Sequence, residues 1–336
     1  MRYCPEAVLP MFQVITIGSA LVDIFVHSSQ FASQSSERDE LLCLTSGDKL
    51  DIEGFRVFSG GGATNTAVGF QRLGFQTGII CELGRDDLAQ IILNDLKRER
   101  VMTQLVIAEK KEQTGGSIIL VDQVGGRTVL VHRGAASLLD TYDISPFWLS
   151  QTRWVHLSSI AGRLPALEKI FQTLTRSHEV GLSWNPGKTE LELLRTHQLK
   201  LSEIPCQIFF VNQEEWQLLG SVQAEVLENF SEVVVTAGKA GGMVYVSGKP
   251  AWKFLSQSQS VVADETGAGD AFATGFVSAK ILGHSTRIAI AWGVKNAGSV
   301  ISYYGAKLGL LDRDRLIRAV AEVGDIETRL ETENLS

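Results

Sequence analysis

The sequence predicts an α/β chain: a mostly parallel sheet with helices on both faces, and a small β-sheet standing apart from it as a lid. Three observations carry this expectation. Short β-rich runs alternate with helical stretches along most of the chain, the pattern of a parallel sheet covered on both sides. Residues 104–133 have hairpin texture instead. No repeat, low-complexity tract or linker divides the chain, so residues 12–330 are expected to form one main domain. The composition allows it: of 336 residues, 44% are hydrophobic and 21% charged, enough apolar material for a large core.

In order, residues 14–18 read as a buried first strand ending in glycine, and residues 1–11, which include a second methionine at Met11, as an extension before it. Residues 28–50 are polar and serine-rich, an exposed excursion. Residues 64–73 read as a helix closed by Gly74, followed by a strand at TGIICEL and a helix at about 86–100. The runs QLVIAEK, GSIILVD and RTVLVHR, with a turn at Gly125 and Gly126, complete the lid, which is expected from about 20–50 and 104–133. Strands at WVHLSS, VGLSW, QIFFVN and EVVVTAG then alternate with helices near 165–177, 189–199 and 213–229. A hairpin (GGMVYVSG, KPAWKFL) and helices at 269–282, 286–303 and 312–330 end the chain.

Bulk properties exclude several function classes. The net charge is −7, from 31 basic and 38 acidic residues, without the basic excess of a nucleic-acid binder. No apolar run approaches the roughly 20 residues of a membrane helix, and no secretory signal opens the chain. Cys4, Cys43, Cys81 and Cys206 are scattered, which fits a reducing compartment and a cytoplasmic location rather than a disulfide framework or zinc site.

The most informative segment is residues 264–270, D-E-T-G-A-G-D, ahead of a long helix. Its small residues leave the backbone N–H groups near 267–270 free to converge on an anion, and the helix adds its positive end. Asp270, in the first turn, is placed to accept a proton from an attacking hydroxyl; the same residues also read as a glycine turn with a capping aspartate. Residues 59–67 put three glycines, Gly60, Gly61 and Gly62, before a helix bearing Asn65, whose amide suits sugar hydroxyls. The residues Asn212 and Glu215 follow a strand at the sheet edge where ligands bind, and could hold Mg²⁺ through water or simply cap a helix. Thr236 and Gly238 follow the next strand, as a phosphate or ribose contact or a plain turn. Asp23, just past the first strand, could hold two neighbouring hydroxyls or serve a turn.

Other motifs fail. Gly187, Lys188 and Thr189 mimic the end of a Walker A loop, but Leu182 stands where its first glycine is needed and Pro186 interrupts it. No G-x-G-x-x-G opens a helix after the first strand, no G-x-S-x-G elbow occurs, and the six histidines lack metal-ligand spacing.

Taken in order, Asp23, the glycine turn with Asn65, N-x-x-E, T-x-G and D-x-T-G-A-G-D resemble the PfkB (ribokinase-like) family of carbohydrate and nucleoside kinases over about residues 12–330. The resemblance implies a three-layer α/β/α domain with a β lid, and an ATP-dependent kinase that phosphorylates a hydroxymethyl group of a small sugar. By matching motifs it assigns Asp270 as base and Gly267, Ala268 and Gly269 as the anion hole. It assigns Asp23, Gly61, Gly62 and Asn65 to substrate, and Asn185, Asn212, Glu215, Thr236, Gly238 and Asn296 to ATP. Asn212 and Glu215 would serve Mg²⁺ through water, and Asp264 and Thr266 resemble part of a monovalent-cation loop, which leaves K⁺ as an optional addition. Glu265 departs from the usual Ser or Thr there, and Gly62 stands where ribokinases carry Lys. A nucleoside kinase of the same family, and a non-catalytic sugar- or nucleotide-sensing protein, remain as alternatives. The implied partners are a sugar or nucleoside and ATP, with no nucleic acid or membrane, in a monomer or a homodimer formed through the lid.

Overall fold

The computed structural model describes residues 11–31, 33–35, 40–108, 111–122, 126–256 and 262–321. The expected extension at 1–11, apart from Met11, and the end of the expected helix at 312–330 lie outside the described residues, as does Gly125. In chain order the strands are β1 (Val14–Ile17), β2 (Leu21–His27), β3 (Ser33–Ser35), β4 (Glu40–Leu42), β5 (Gly54–Gly60), β6 (Thr77–Ile80), β7 (Gly115–Val121), β8 (Arg127–His132), β9 (Trp154–Leu157), β10 (Gly181–Trp184), β11 (Ile208–Asn212), β12 (Glu232–Thr236), β13 (Gly242–Val246) and β14 (Lys249–Phe254). The α-helices are α1 (Gly62–Arg72), α2 (Asp87–Arg98), α3 (Pro146–Ser150), α4 (Leu164–Arg176), α5 (Lys188–Arg195), α6 (Gln213–Leu219), α7 (Gln223–Asn229), α8 (Ala268–Ile281), α9 (Thr286–Val300) and α10 (Arg313–Ala321).

The main sheet runs β14-β13-β12-β11-β10-β9-β1-β6. Its strands from β6 to β12 are parallel, and the hairpin β13–β14 closes one edge antiparallel. Because β1 lies between β6 and β9, the chain builds to one side of β1 and then to the other. That makes the carboxyl ends of β1 and β9 a switch point, where open α/β sheets leave a crevice.

Alternation along β11 shows the two covered faces. Phe209 and Val211 pack with Trp184, Phe171 and Phe230 on one side, whereas Ile208 and Phe210 pack with Phe272 and Phe276 on the other. Helices α4 to α7 cover the first face, and α1, α8, α9 and α10 cover the second.

A second sheet, ordered β5-β2-β7-β8, stands apart as expected. Its composition differs from the expectation in three ways. Strands β3 and β4, expected within it, pair antiparallel with each other in a separate two-stranded sheet. Strand β5 belongs to it, although its last residues also begin the glycine turn and so masked the strand. The run after residue 104 does not belong to it: Ile107 bridges Glu82, and Met102 bridges Gly78, so this segment extends the main sheet beside β6. Within the small sheet, Phe58, Asp23, Ser117 and Val131 form one cross-strand row, and Val57, Ile24, Ile118 and Leu130 the next. Adjacent rows point to opposite faces. Asp23 and Ser117 are buried, and Phe25, Ile119 and Val121 of their face cluster with Phe58 and Tyr304; on the other face Val22 and Ile24 pack on the core formed with α1 and α2, while Val57, Ile118 and Leu130 are exposed.

An ionisable ring sits deep in the sheet. His156 of β9 is fully buried between Phe70 and Phe210, with Nδ1 2.8 Å from Ser183 Oγ. Burial disfavours the imidazolium and lowers its pKa to about 3 from the ordinary 6.5. Between those values the unfolded chain binds a proton that the folded chain refuses. The stability that rests on the neutral ring is therefore complete above pH about 6.5 and falls as pH drops, by about 1.4 kcal/mol per unit. Urea midpoints followed from about pH 7 to about pH 5 should decline less steeply in His156→Phe than in the parent. Equal slopes would remove His156 from the acid response.

Candidate active site

Helix α1 begins against the end of β1. Gly61 adopts φ 96°, and a Cβ there would lie 2.5 Å from the Ser19 carbonyl oxygen; a Cβ on Gly62 would lie 2.6 Å from Ser158 Oγ. Both glycines therefore let the first turn sit directly on the switch point. Ala63 N–H donates to Ser19 O at 3.1 Å, and Gly62 N–H to Ser19 Oγ at 3.2 Å. Asn65 follows in this turn and is buried.

Helix α8 begins opposite. Gly267 is left-handed (φ 77°), and a Cβ on it would lie 2.3 Å from Ala306 Cβ, so no larger residue fits. Ala268 N–H bonds back to Glu265 O at 3.2 Å, and Ala271 N–H to Gly267 O at 2.9 Å. Of the expected anion hole, Ala268 N–H is thus partly engaged. The helix leaves the amides of Gly269 and Asp270 without intrahelical acceptors. Gly269 has open space where a side chain would project.

The two helix starts meet. Asn65 Nδ2 donates to Asp270 Oδ2 at 2.8 Å, across 205 residues of sequence, while Asn65 Oδ1 is buried with no partner among the described residues. Burial raises the Asp270 pKa from 3.8 to about 6, against the opposing effects of the Asn65 amide and the Lys307 charge; Glu215 adds a small upward push. A carboxylate poised there is ionised at neutral pH yet basic enough to take a proton.

Asp23 lies within β2 rather than in a turn after β1. Its Oδ1 accepts from Ser117 Oγ, and Gly60 makes room for it, since a Cβ there would lie 1.9 Å from Asp23 Oδ2. Burial raises its pKa, partly offset by Ser117 and Lys307. Lys307 had no signal in the sequence. It is a buried ammonium paired with Asp95 Oδ2 at 3.0 Å and bonded to Ser59 Oγ, with its pKa lowered by burial against the pull of Asp95.

A cavity of about 350 Å³ reaches Ala268 and Gly269 from the far side. Asn212, Thr236, Gly238 and Gly241 line it from the strand ends, and Phe254, Phe272, Ala297 and Gly298 supply apolar walls. A polar mouth with apolar walls suits a flat heterocycle carrying a charged chain. Asn212 and Glu215 form a reciprocal cap on α6: Glu215 N–H donates to Asn212 Oδ1 at 2.8 Å, and Asn212 N–H to Glu215 Oε2 at 2.9 Å. The cap leaves Glu215 Oε1 and Asn212 Nδ2 outside this pair, enough for an ion that keeps most of its waters. Asn185 Nδ2 donates to Phe210 O at 3.1 Å, and Thr236 Oγ1 to Val211 O at 3.5 Å, so both are held at the sheet edge.

Asn296 requires a correction. It has 0% exposure and does not line the cavity. Its amide donates to Ala271 O and Thr274 Oγ1 and its oxygen accepts from Leu311 N–H, so it ties α8 to α9 and the following loop. Its neighbours Ala297 and Gly298 reach the cavity instead. Asp264 is also committed: Oδ1 accepts Thr266 N–H at 2.9 Å and Arg127 Nη1 at 2.6 Å, and Oδ2 accepts Gly305 N–H at 2.8 Å. These residues do not fit a monovalent cation bound through the Asp264 side chain. Among the described residues, no three His, Cys, Asp or Glu side chains gather to cage a metal, and no helix is long and apolar enough to cross a membrane.

Comparison with known proteins agrees with this architecture. An ATP-dependent 6-phosphofructokinase from Thermoanaerobacterium thermosaccharolyticum is 23% identical over 319 residues, covering 91% of this chain and 92% of its own. The solved structure of a Methanocaldococcus jannaschii nucleoside kinase, an archaeal member of the ribokinase family, has a TM-score of 0.75 at 20% identity, covering 92% of this chain and 98% of its own. That of a putative ribokinase II from E. coli, in complex with ATP and Mg²⁺, has a TM-score of 0.75 at 20% identity, covering 93% and 99%. These likenesses establish the three-layer fold with its separate small sheet. The model of the pfkB family carbohydrate kinases matches residues 13–313, and the chain belongs to that family of phosphotransferases with an alcohol acceptor.

Proposed function

We propose that the chain transfers the γ-phosphoryl group of ATP to a hydroxymethyl group of a small sugar, with Asp270 as general base. The observation that supports this most is the 2.8 Å bond between Asn65 and Asp270, formed where the nucleotide-sized cavity ends at Gly269. In this reading the acceptor lies under the small sheet. Its hydroxyls bond Asp23 and the unpartnered Asn65 Oδ1, and its terminal hydroxyl faces Asp270. Asp270 takes that proton as the oxygen attacks in line, and the first-turn amides of α8 receive the developing phosphoryl charge.

Mg²⁺, held through water by Glu215 and Asn212, would neutralise phosphate charge when bound. Gly238 and Thr236 flank the nucleotide, and Asn185 stands at the sheet edge nearby. A nucleoside acceptor would use the same base and the same amides. The acceptor is decided by an ADP-release assay across pentoses, hexoses, sugar phosphates and nucleosides. ADP release that requires a sugar is expected. Release only with nucleosides would move the assignment within the family, and binding without turnover would make the chain a sensor.

Asp270→Asn should lower turnover by roughly 10²–10⁴-fold. It should melt no lower than the parent, because the partly desolvated Asp270 carboxylate disfavours folding at neutral pH: the folded pKa of about 6 exceeds the unfolded 3.8. Near-normal turnover in a folded Asp270→Asn variant would remove the base assignment.

The rate should also report the ionisation of Asp270. It should rise with pH to a plateau above about 6, and fall roughly tenfold per unit below that. Asn65→Leu removes the donor that favours the carboxylate, so its acid limb should move to higher pH, whatever it does to KM. An unmoved limb would separate Asn65 from the base.

A further inference from the structure

Arg127 opens β8 in the small sheet, yet its side chain leaves that sheet and ends on the loop that leads into α8. Nη1 pairs with Asp264 Oδ1 at 2.6 Å, and Nη2 approaches Ala263 O at 3.4 Å. Asp264 is fully buried, and its other bonds run to both walls of the same feature. Thr266 N–H fixes the chain just before Gly267. Gly305 N–H fixes the chain just before Ala306, whose side chain packs on Gly267. The left-handed turn that starts α8 is therefore held on two sides by one carboxylate, and that carboxylate is neutralised by one guanidinium.

A carboxylate offers about four acceptor sites, and three are filled here, one of them by a full positive charge. A monovalent ion on the same oxygens would have to displace an N–H or sit against the guanidinium. Burial makes either costly, because low dielectric strengthens the repulsion between like charges. The fork is also better matched than a spherical ion to a carboxylate, since it binds with direction as well as charge.

Resting on the kinase reading, we propose that the guanidinium of Arg127 replaces a monovalent cation in this chain, setting the Asp264 loop beneath the phosphoryl site and tying it to the small sheet. Arg127 is then a positioning residue. It touches neither nucleotide nor acceptor but acts through Asp264 on Gly267 and the first turn of α8. The coupling has a direction: β8 pairs with β7, which carries Ser117 against Asp23, so the acceptor side and the phosphoryl side share one strand pair.

The test compares Mg-ATP affinity and turnover in choline chloride and in KCl at equal ionic strength. The unaltered protein should give the same values in both, within about twofold, and KCl should not raise its melting temperature. Arg127→Ala should lose about tenfold to a hundredfold in choline. It should regain most of that loss with added K⁺ or guanidinium ion, which can enter the vacated charge site. Arg127→Lys should keep part of the function without added cation.

A parent protein activated more than about fivefold by K⁺ would overturn the proposal. So would an Arg127→Ala variant equal to the parent in choline, or a loss that neither cations nor lysine relieve. If Arg127→Ala does not fold, Arg127→Lys and the parent's cation profile still decide. Mg-ATP affinity reads the Arg127 effect even if no acceptor tried is phosphorylated, so that outcome counts against the kinase reading alone.

Discussion

The close approach of α1 to α8 is the constraint on which the site depends. A Cβ on Gly69 of α1 would lie 2.8 Å from the Thr274 side chain of α8, so the two helices touch almost backbone to side chain. On its other side α8 meets α9 just as closely: Gly275 faces the Trp292 carbonyl, and Gly293 faces Phe272. A helix gripped in this way must be small and apolar around most of its surface, and residues 271–279 of α8 are buried throughout. Asn296 completes the grip by bonding Ala271 and Thr274. With both helices fixed in depth, their first turns come level, and Asn65 can reach Asp270. The glycines of α8 and α9 thus position the candidate site as much as Gly267 and Gly269 do.

Electrostatics sets the second condition. Asp23, Asp270 and Asp264 are drawn into one region, where burial raises the pKa of Asp23 and Asp270 and like charges repel. Two cations reach this region. Arg127 answers Asp264 directly. Lys307 is bonded to Asp95 and Ser59, and acts on Asp23 and Asp270 from a distance. At Asp270 burial still outweighs both the Asn65 amide and Lys307, since the pKa settles near 6 rather than below 3.8. A direct ion pair would have removed that basicity. A carboxylate that titrates near neutrality needs its cation close enough to permit ionisation and too far to capture the charge, and Lys307 meets both requirements because its hydrogen bonds go to Asp95 and Ser59.

How much of this was legible in the sequence depends on how local each signal was. Gly267, Gly269 and Asp270 adjoin in one segment, and Gly61, Gly62 and Asn65 in another, so local chemistry exposed both halves of the site. The parallel sheet was legible because its strands are short apolar runs set between helices. Asp95, Ser59, Arg127 and Lys307 were not, because each is an ordinary charged or polar residue whose partner lies on a distant element. Arg127 in particular begins an alternating strand, where an exposed charge is the common expectation. Asn296 failed for the opposite reason. Its neighbours Ala297 and Gly298 line the cavity, but helical geometry turns Asn296 one face away, into the seam between α8 and α9. Strand β5 was lost because its final glycines read more strongly as a turn than its alternating residues read as a strand.

The connections between the two sheets explain why the proposed acceptor contacts come from both. The chain passes from β1 into β2 through residues 18–20, and from β5 into α1 through Gly60 and Gly61. Asp23 therefore travels with the small sheet while Asn65 stays with α1 and the main domain. An acceptor bonded to both would join the two parts, so its binding energy is available to bring the small sheet down over the site and exclude water. That closure would press Asp23 toward Asp270, two carboxylates whose pKa values burial has already raised. Lys307 stands at this junction, bonded to Ser59 of the small sheet and Asp95 of α2. An apolar residue there could fill the space but would leave Asp95 to Arg98 and Ser59 alone, and would remove the positive charge that opposes the raised pKa of Asp23 and Asp270. In the proposed closed state, the ammonium is what would let acids enclose a polar acceptor.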